Sequence, residues 1–360
     1  MQTRSRRSLD RNTRYAKNSR RNEDADRVLL GRTVIENGLA DARLKAIWLG
    51  HALARNIPFT AAKLARFGTG PVVRAVREKG PFDAVIFNSV AMAGAAPGLF
   101  AIAPMLHVSH NNERLTAAQN AVSAGNPALR WLFDREARLL GALESTLATR
   151  SRFVWCLSED DRLSLQAPAL AKSAVLPLTV NADPLPSARA ESPGVTHDIG
   201  LIGTWTWEPN TVGLRWFCDC VVPLLPDGMS VAVAGRLPAG FAAPARVKLL
   251  GRVPDAGAFV GSCRVLALAA RAGTGVQLKT IEAFERGMPA VATTLSLRGI
   301  AQIPVNVVIA DEAQGYAAAL ASMVASSHRG TVGRVDGQLF ARAQIAGLQA
   351  ALQRGLRTLA

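Results

Sequence analysis

Cysteine and tyrosine are scarce, and the common phosphate and nucleophile motifs are missing. The 360 residues hold four cysteines and two tyrosines, with 6% aromatic and 19% charged side chains. Cys156, Cys218, Cys220 and Cys263 include no second pair at zinc-ligand spacing, so neither a zinc site nor a disulfide framework is readable. Scattered thiols in apolar contexts are expected to be buried and free in a reducing cytoplasm. No apolar run follows the basic start, which argues against a secretory signal. There is no G-x-G-x-x-G, no G-x-x-x-x-G-K-[ST] and no G-x-S-x-G, so the dinucleotide fingerprint, the Walker loop and the serine-hydrolase elbow are all without support.

Charge of either sign is absent from Ala84 to Asn112, a stretch long enough to span a bilayer. It also contains Asn88, Ser89, Gly94, Pro97, Gly98 and Pro104. These break it into a strand at Ala84–Phe87, a small-residue helix at Val90–Phe100 and a strand at Met105–Val108, a buried core segment in place of a membrane helix.

What is present is a basic, apolar-rich chain. Hydrophobic residues make up 49%, the mean hydropathy is +0.14 and the formal net charge is +15. Such a balance fits a globular protein with a sizeable core and an anionic partner: nucleic acid, membrane surface or phosphorylated substrate. Much of the excess lies at one end. Residues 1–22 carry eight basic side chains against the single acid Asp10. With Tyr15 as its only aromatic, that arm gives little support for base stacking, and no specific nucleic-acid partner is expected.

Beyond the arm, short apolar runs alternate with helical patterns. Strands are expected at Phe82–Phe87, Met105–Ser109, Phe153–Leu157 and Ala174–Leu178, with a long helix at Pro127–Ala148 and Ser158 as the cap of an acidic first turn. Residues 181–196 are rich in Pro, Ser and Ala and read as a linker. The alternation then restarts: strands at Asp198–Ile202, Val231–Ala234, Val247–Leu250, Val265–Ala269, Ala290–Thr293 and Val307–Ile309, with Asp311 capping a helix that ends near Ser326. This gives a basic arm over 1–45, an α/β domain over 46–180, the linker, a second α/β domain over 197–335 and a terminal helix over 336–360. Ligands of such sheets bind at the carboxyl ends of the strands.

The segment Arg271–Thr294 carries the most chemistry. A strand runs into Gly273-Thr274-Gly275 and directly into a helix bearing Lys279 and Glu282. A glycine-flanked turn at a helix N-terminus exposes unpaired amides and the positive end of the dipole, which together hold phosphate. Lys279 would add a full charge, and Glu282, on a similar face, would accept from sugar hydroxyls. From spacing alone, an ordinary strand–turn–helix with both side chains solvated fits better than a phosphate site.

The same segment resembles the donor site of group 1 (family 4) glycosyltransferases of the GT-B fold. Gly273, Gly275, Lys279, Glu282, Ala283, Gly287, Pro289, Val291 and Thr293 stand at the matching positions. Ile202-Gly203-Thr204-Trp205, Pro209-Asn210, Gly213 and Trp216-Phe217 are similar to the start of that family's C-terminal domain. Ala234-Gly235-Arg236 and Gly251-Arg252-Val253-Pro254-Asp255 fit its next strand ends. Pro81–Ile86, His110-Asn111-Asn112-Glu113 and Ser158–Asp161 resemble its N-terminal domain more loosely. His110 taken by itself reads more readily as a structural or surface histidine, and its position after a buried strand, in a cleft-facing loop, brings the functional reading level with that one.

The resemblance implies two Rossmann-like domains facing across a cleft, the first lacking its opening strand. It implies a retaining, metal-independent enzyme without a cofactor, moving a sugar from a nucleotide-diphosphate donor to a glycan or lipid-linked acceptor. Surface polysaccharide synthesis, in the cytoplasm with peripheral contact to an anionic membrane, is the implied setting. Amides at Gly203–Thr204 and Thr274–Val276 (residues Gly273, Thr274, Gly275 and Val276 form the turn) would surround the diphosphate. Lys279 and Arg236 would neutralise it, Glu282 would hold the ribose, Val253 would lie by the base, and His110 would touch the donor sugar. The chain departs from the family pattern in three places. Thr274 replaces a frequent Glu, Thr204 and Asn210 replace a frequent Arg and Lys, and residues 1–47 show no strand with a Gly-Gly loop. Those departures leave an alternative open: a catalytically impaired nucleotide-binding or scaffold protein derived from such an enzyme.

Overall fold

The computed structural model describes residues 34–35, 40–181 and 194–360. The basic arm up to residue 33 and most of the expected linker lie outside the described residues. The chain divides into two compact units, one of residues up to Val85 with 91–104, the other of 86–90 with 105–360. Residues 105–180 group with the C-terminal half in the larger unit.

The smaller unit is built from α1 (Ala42–Ala54), α2 (Phe59–Ala62), α3 (Thr69–Arg77) and α4 (Ala91–Ala95). Asp41 accepts from the Leu44 amide at 2.7 Å and so caps α1. Trp48 meets Phe59 edge-on at 5.9 Å, and the Lys63 ammonium lies over both rings. The expected helix over Val90–Phe100 stops at Ala95 and continues as a 3₁₀ turn from Pro97. Proline has no amide to continue the ladder, which accounts for the break.

The larger unit holds two sheets. The first has the order β1 (Val85–Asn88), β2 (Met105–Ser109), β3 (Phe153–Cys156) and β4 (Ser173–Val175), with β2–β3 and β3–β4 parallel. Among the described residues no strand precedes Val85. Between β2 and β3 run α5 (Glu113–Val122) and α6 (Pro127–Arg150); after β3 come α7 (Glu159–Leu163) and α8 (Ala167–Ala171). Asn112, Asn126 and Ser158 each accept an amide hydrogen bond as N-caps, so polar residues at these three points start the helices.

The second sheet is β5 (His197–Ile202), β6 (Val231–Ala234), β7 (Val247–Gly251), β8 (Cys263–Leu268), β9 (Ala290–Ala292) and β10 (Val307–Ile309). Its order is β10-β9-β8-β5-β6-β7 with every pair parallel. The central strands β6 and β9 are wholly apolar, and β5 and β8 are apolar beyond their first residues, because both faces are covered. One face packs Leu214, Phe217, Tyr316 and Leu320, the other Phe259, Ile281, Phe284 and Phe340. The connecting helices are α9 (Glu208–Trp216), α10 (Ala256–Gly261), α11 (Leu278–Glu285) and α12 (Ala313–His328). Asp311 does not cap α12, whose cap position is Glu312. Its carboxylate instead binds the amide and hydroxyl of Thr294 at 2.9 and 2.6 Å, which satisfies the turn after β9. Of the four cysteines, Cys220 is exposed where a buried thiol is expected, while Cys156, Cys218 and Cys263 are buried and free.

Among the contacts that join the two sheets of this unit, three are spread along the seam. The buried Glu285 carboxylate accepts from the amides of Val180 and Asn181 and from the Asn181 side chain at 2.6 Å, anchoring the chain as it leaves the first sheet. Asp161, also buried, pairs with Arg298 at 3.0 Å. The last helix, α13 (Gly337–Leu356), lies against β3, where the buried Trp155 indole donates to Ala351 O at 2.7 Å. A Cβ at Gly355 would stand 2.2 Å from the Trp155 ring, so only glycine fits there. Gly355→Val is expected to lower the unfolding free energy by about 1–3 kcal/mol through overpacking, read as a drop of several degrees in Tm. An unchanged Tm would show that this docking contributes nothing.

Candidate functional site

Read from the far edge, the second sheet runs β7-β6-β5-β8-β9-β10, so successive crossovers change side between β5 and β8. Loops leaving those two strands diverge, and a crevice opens where they part. A cavity of about 870 Å³ occupies that place.

The loop after β5 supplies Gly203, Thr204 and Trp207 to the wall. It is held by Trp205, which is buried and donates its indole N–H to Ala234 O at 2.8 Å, while its amide bonds Arg236 O. Gly235 has φ +118°, and a Cβ there would strike the Gly203 carbonyl, so a glycine is required for the two loops to touch. The loop after β8 supplies Gly273, Thr274, Gly275 and Val276. Gly273 has φ +103°, and it turns the chain against Pro209 into α11.

Helix α11 starts at Leu278, with Gln277 at its cap and no side chain closing its first turn. Its leading amides therefore lack intrahelical acceptors and face an open site with the positive dipole end. Lys279 stands in that first turn. Its ammonium lies 5.1 Å from the Trp205 ring centre and 3.4 Å from Asn210 Oδ1, with no carboxylate paired to it among the described residues. Burial lowers its pKa from 10.5 to about 8. Arg236 and Arg252 add two further cations to the wall. The one carboxylate, Glu282, has an oxygen 3.1 Å from Arg286 Nε, which leaves its other oxygen for a ligand.

All the residues expected at the donor site thus line one cavity: Gly203, Thr204, Arg236, Val253, Gly273, Thr274, Gly275, Val276, Lys279 and Glu282. His110 does not line it. It ends the β2 loop with Nε2 2.5 Å from Asn88 Oδ1, and its pKa is lowered by burial. Its neighbour Asn111 lines the cavity instead, and donates to Thr274 Oγ1 at 3.2 Å. Thr116, on α5, reaches the same hydroxyl at 2.8 Å. These two, with Asn210, Gln277 and Arg252, escaped the sequence reading. Arg252 stood inside the Gly-Arg-Val-Pro-Asp motif and was legible; the Thr274 contacts join residues about 160 positions apart and left no local signal.

Three cations and a free helix N-terminus make this an anion site with one polar side chain able to receive hydroxyls. Without an anion, Lys279 is a desolvation cost. Lys279→Met is therefore expected to stabilise the ligand-free protein near pH 7 by about 1–3 kcal/mol. The native state releases this proton near pH 8 while the unfolded chain keeps it to 10.5. The unfolded state binds more protons in that window, so wild-type stability rises with pH and the advantage of the variant fades. Urea unfolding of both proteins across that range measures it; a constant difference would refute the assignment.

Residues 196–326 match the model of the family glycosyl transferases group 1. No curated protein sequence matches the chain significantly. Among solved structures, TarM is similar with a TM-score of 0.57 at 14% identity, over 80% of this chain and 58% of TarM. HepE from Anabaena in complex with UDP gives 0.54 at 16%, over 83% of this chain and 84% of HepE. Sucrose-phosphate synthase from Thermosynechococcus elongatus gives 0.57 at 15%, over 82% of this chain and 77% of that one. These likenesses show the fold, an α/β GT-B architecture with two parallel sheets.

Proposed function

We propose that the chain, whose residues 196–326 belong to the glycosyl transferases group 1 family, transfers a sugar from a nucleoside-diphosphate donor to a glycan or lipid-linked acceptor in surface polysaccharide synthesis. The observation that carries this reading is the uncompensated Lys279 at the open N-terminus of α11, flanked by Arg236 and Arg252. HepE, which shares the fold, has been solved with UDP and with UDP-glucose, which supports a nucleotide-sugar donor.

In the reaction, breakage of the bond between sugar and diphosphate leaves negative charge on the departing oxygen. The α11 amides, Lys279 and the two arginines are fixed around that position before the bond breaks, which is the electrostatic form of catalysis. A bound diphosphate also raises the Lys279 pKa again and keeps it charged. Three cations and a dipole supply the positive charge the leaving group needs, which supports metal-independent transfer; retention rests on the family resemblance. The second Glu282 oxygen accepts from the ribose, Val253 flanks the base, and His110 contacts the donor sugar from the rim.

A second reading, a nucleotide-binding protein without transfer activity, is favoured by one residue: Thr274 stands where relatives often carry a carboxylate. Calorimetry and turnover separate the two. UDP or GDP is expected to bind, and Lys279→Ala to weaken binding by about 10–100-fold, the value of a charged hydrogen bond. Failure of both nucleotides to bind would remove both readings. Sugar transfer or donor hydrolysis lowered by His110→Ala supports the enzyme; binding without either supports the second reading.

Attachment to an anionic membrane is supported by the turn between α5 and α6. Val122, Leu129 and Trp131 are exposed there, 79%, 43% and 55% respectively, beside Arg130. Among the described residues no helix is long and apolar enough to cross a membrane. Cosedimentation with phosphatidylglycerol vesicles, but not with phosphatidylcholine, is expected and should fall when Trp131 and Arg130 are both changed to alanine. Equal binding to the two lipids would refute it.

A further inference from the structure

A second cavity, of about 420 Å³, lies over strand β2 between α6 and the α7–α8 pair. That volume is in the usual range for small-molecule sites, about 300–1,000 Å³. The opening of α5 separates it from the donor cavity. Asn111 and Thr116 face the donor cavity, whereas Asn112 and Arg114 line the second. We propose that this second cavity binds a neutral sugar unit of the acceptor glycan, through the His107 imidazole, the Glu144 carboxylate and the Arg114 guanidinium. The identification as an acceptor rests on the glycosyltransferase reading; the sugar site itself does not.

His107 is the distinctive group. It is only 2% exposed, and its Nδ1 is 3.0 Å from Phe87 O. A carbonyl only accepts, so Nδ1 carries the proton and Nε2 is left as an acceptor with no partner among the described residues. Burial holds the ring's pKa near 4, so it stays neutral at physiological pH. His107 lines the cavity, so a donor that enters it, such as a sugar hydroxyl, can bond that acceptor.

Glu144 adds acceptors. Its oxygens take the Glu113 and Arg114 amides at 2.6 and 3.4 Å, each keeping a lone pair. Gly141 explains the reach of Arg114: a Cβ at 141 would stand 2.6 Å from Arg114 Cδ, so the glycine lets that side chain cross α6. Arg114 and Arg138 stand with Glu144, whose pKa burial raises to about 7, while Asp161 is already paired with Arg298, and the floor is a neutral ring. A mixed lining of this kind offers donors and acceptors to hydroxyls, which themselves both donate and accept.

Saturation-transfer NMR on the full chain tests the proposal, with cellobiose, lactose and diacetylchitobiose as millimolar probes and UDP present to fill the donor cavity. At least one disaccharide is expected to receive transfer. Ser145→Trp, on the exposed face of α6 at the cavity rim, should weaken that binding at least about tenfold, as should His107→Phe, which keeps the ring and removes the acceptor. Both variants should bind UDP as wild type does. If His107→Phe fails to fold, Ser145→Trp decides alone. No transfer to any of the three sugars, transfer unaffected by Ser145→Trp, or 31P broadening of inorganic phosphate without sugar binding would each overturn it. Sugar binding without UDP binding would instead sink the donor reading and leave this site standing.

Discussion

Everything about the main cavity follows from one unpaired charge. The Lys279 ammonium is surrounded by an indole face and an amide oxygen, with no carboxylate, and desolvation alone accounts for its lowered pKa. A protein does not hold a buried cation unpaired at no cost. The usual resolutions are a partner carboxylate or loss of the proton, and the structure offers neither in full. A bound anion is the remaining one. The local architecture is consistent with that: Gly235 allows the β5 and β6 loops to touch, Gly273 turns the chain into α11, and Gln277 leaves the helix uncapped. Each of these would be a defect in a purely structural turn.

The same constraint explains why the first sheet is tied so closely to the second. A site for a transferred group needs a wall on each side held to within a fraction of an ångström. Asp161–Arg298, the Glu285 anchor of Val180 and Asn181, and the docking of α13 on Trp155 are spread over different parts of the seam. Two of the three bury a carboxylate with several donors, an arrangement that fixes geometry more than it stabilises. Gly299 belongs to this seam too: with φ +76°, a Cβ there would meet both Val276 and Leu157 O. The loop that carries the donor turn is thereby packed against the end of β3. Thr274 then sits where Asn111 and Thr116 can reach it.

How far this could be read in advance depended on range. The apolar runs Val231–Ala234 and Val265–Leu268 announced buried parallel strands, and Ser158 announced a helix start, because those signals lie within a few residues. The donor cavity was legible for a similar reason: its phosphate turn is one continuous segment, and the remaining wall residues belong to short motifs at strand ends. Asp311 misled because a carboxylate before a helix resembles a cap, while a better set of donors waited on Thr294, 17 positions away. Cys220 misled because burial on a helical segment depends on the face, and neighbouring Cys218 took the inner one. Asn111 lines the cavity and His110 does not, since a turn directs successive side chains to opposite walls. His107 left no signal at all. A histidine in an apolar strand looks structural until the groups around it are known.

The partition between the two cavities gives the fold a functional logic that neither cavity has alone. Helix α5 is held at its start by Asn112, which caps it, and by Glu144, which takes the next two free amides from α6. Its first turn therefore depends on a residue lining the second cavity, while Thr116 one turn later touches the donor loop. Occupants of the two cavities would press on opposite sides of the same short helix. A displacement of α5 by one would alter the Asn111 and Thr116 contacts that set Thr274. Coupling of this kind needs only a rigid element with ligands on both sides, each binding one of its positions better than the other. It also bears on Thr274 itself. With a carboxylate at that position, the Asn111 amide could still donate to it, but Thr116 would have to supply its proton and give up its choice of donor or acceptor role. A threonine lets all three side chains share hydrogen bonds without placing a negative charge beside the cations and amides of the cavity. The departure from the family pattern therefore keeps the turn free of negative charge and leaves neutral groups to hold its two walls together.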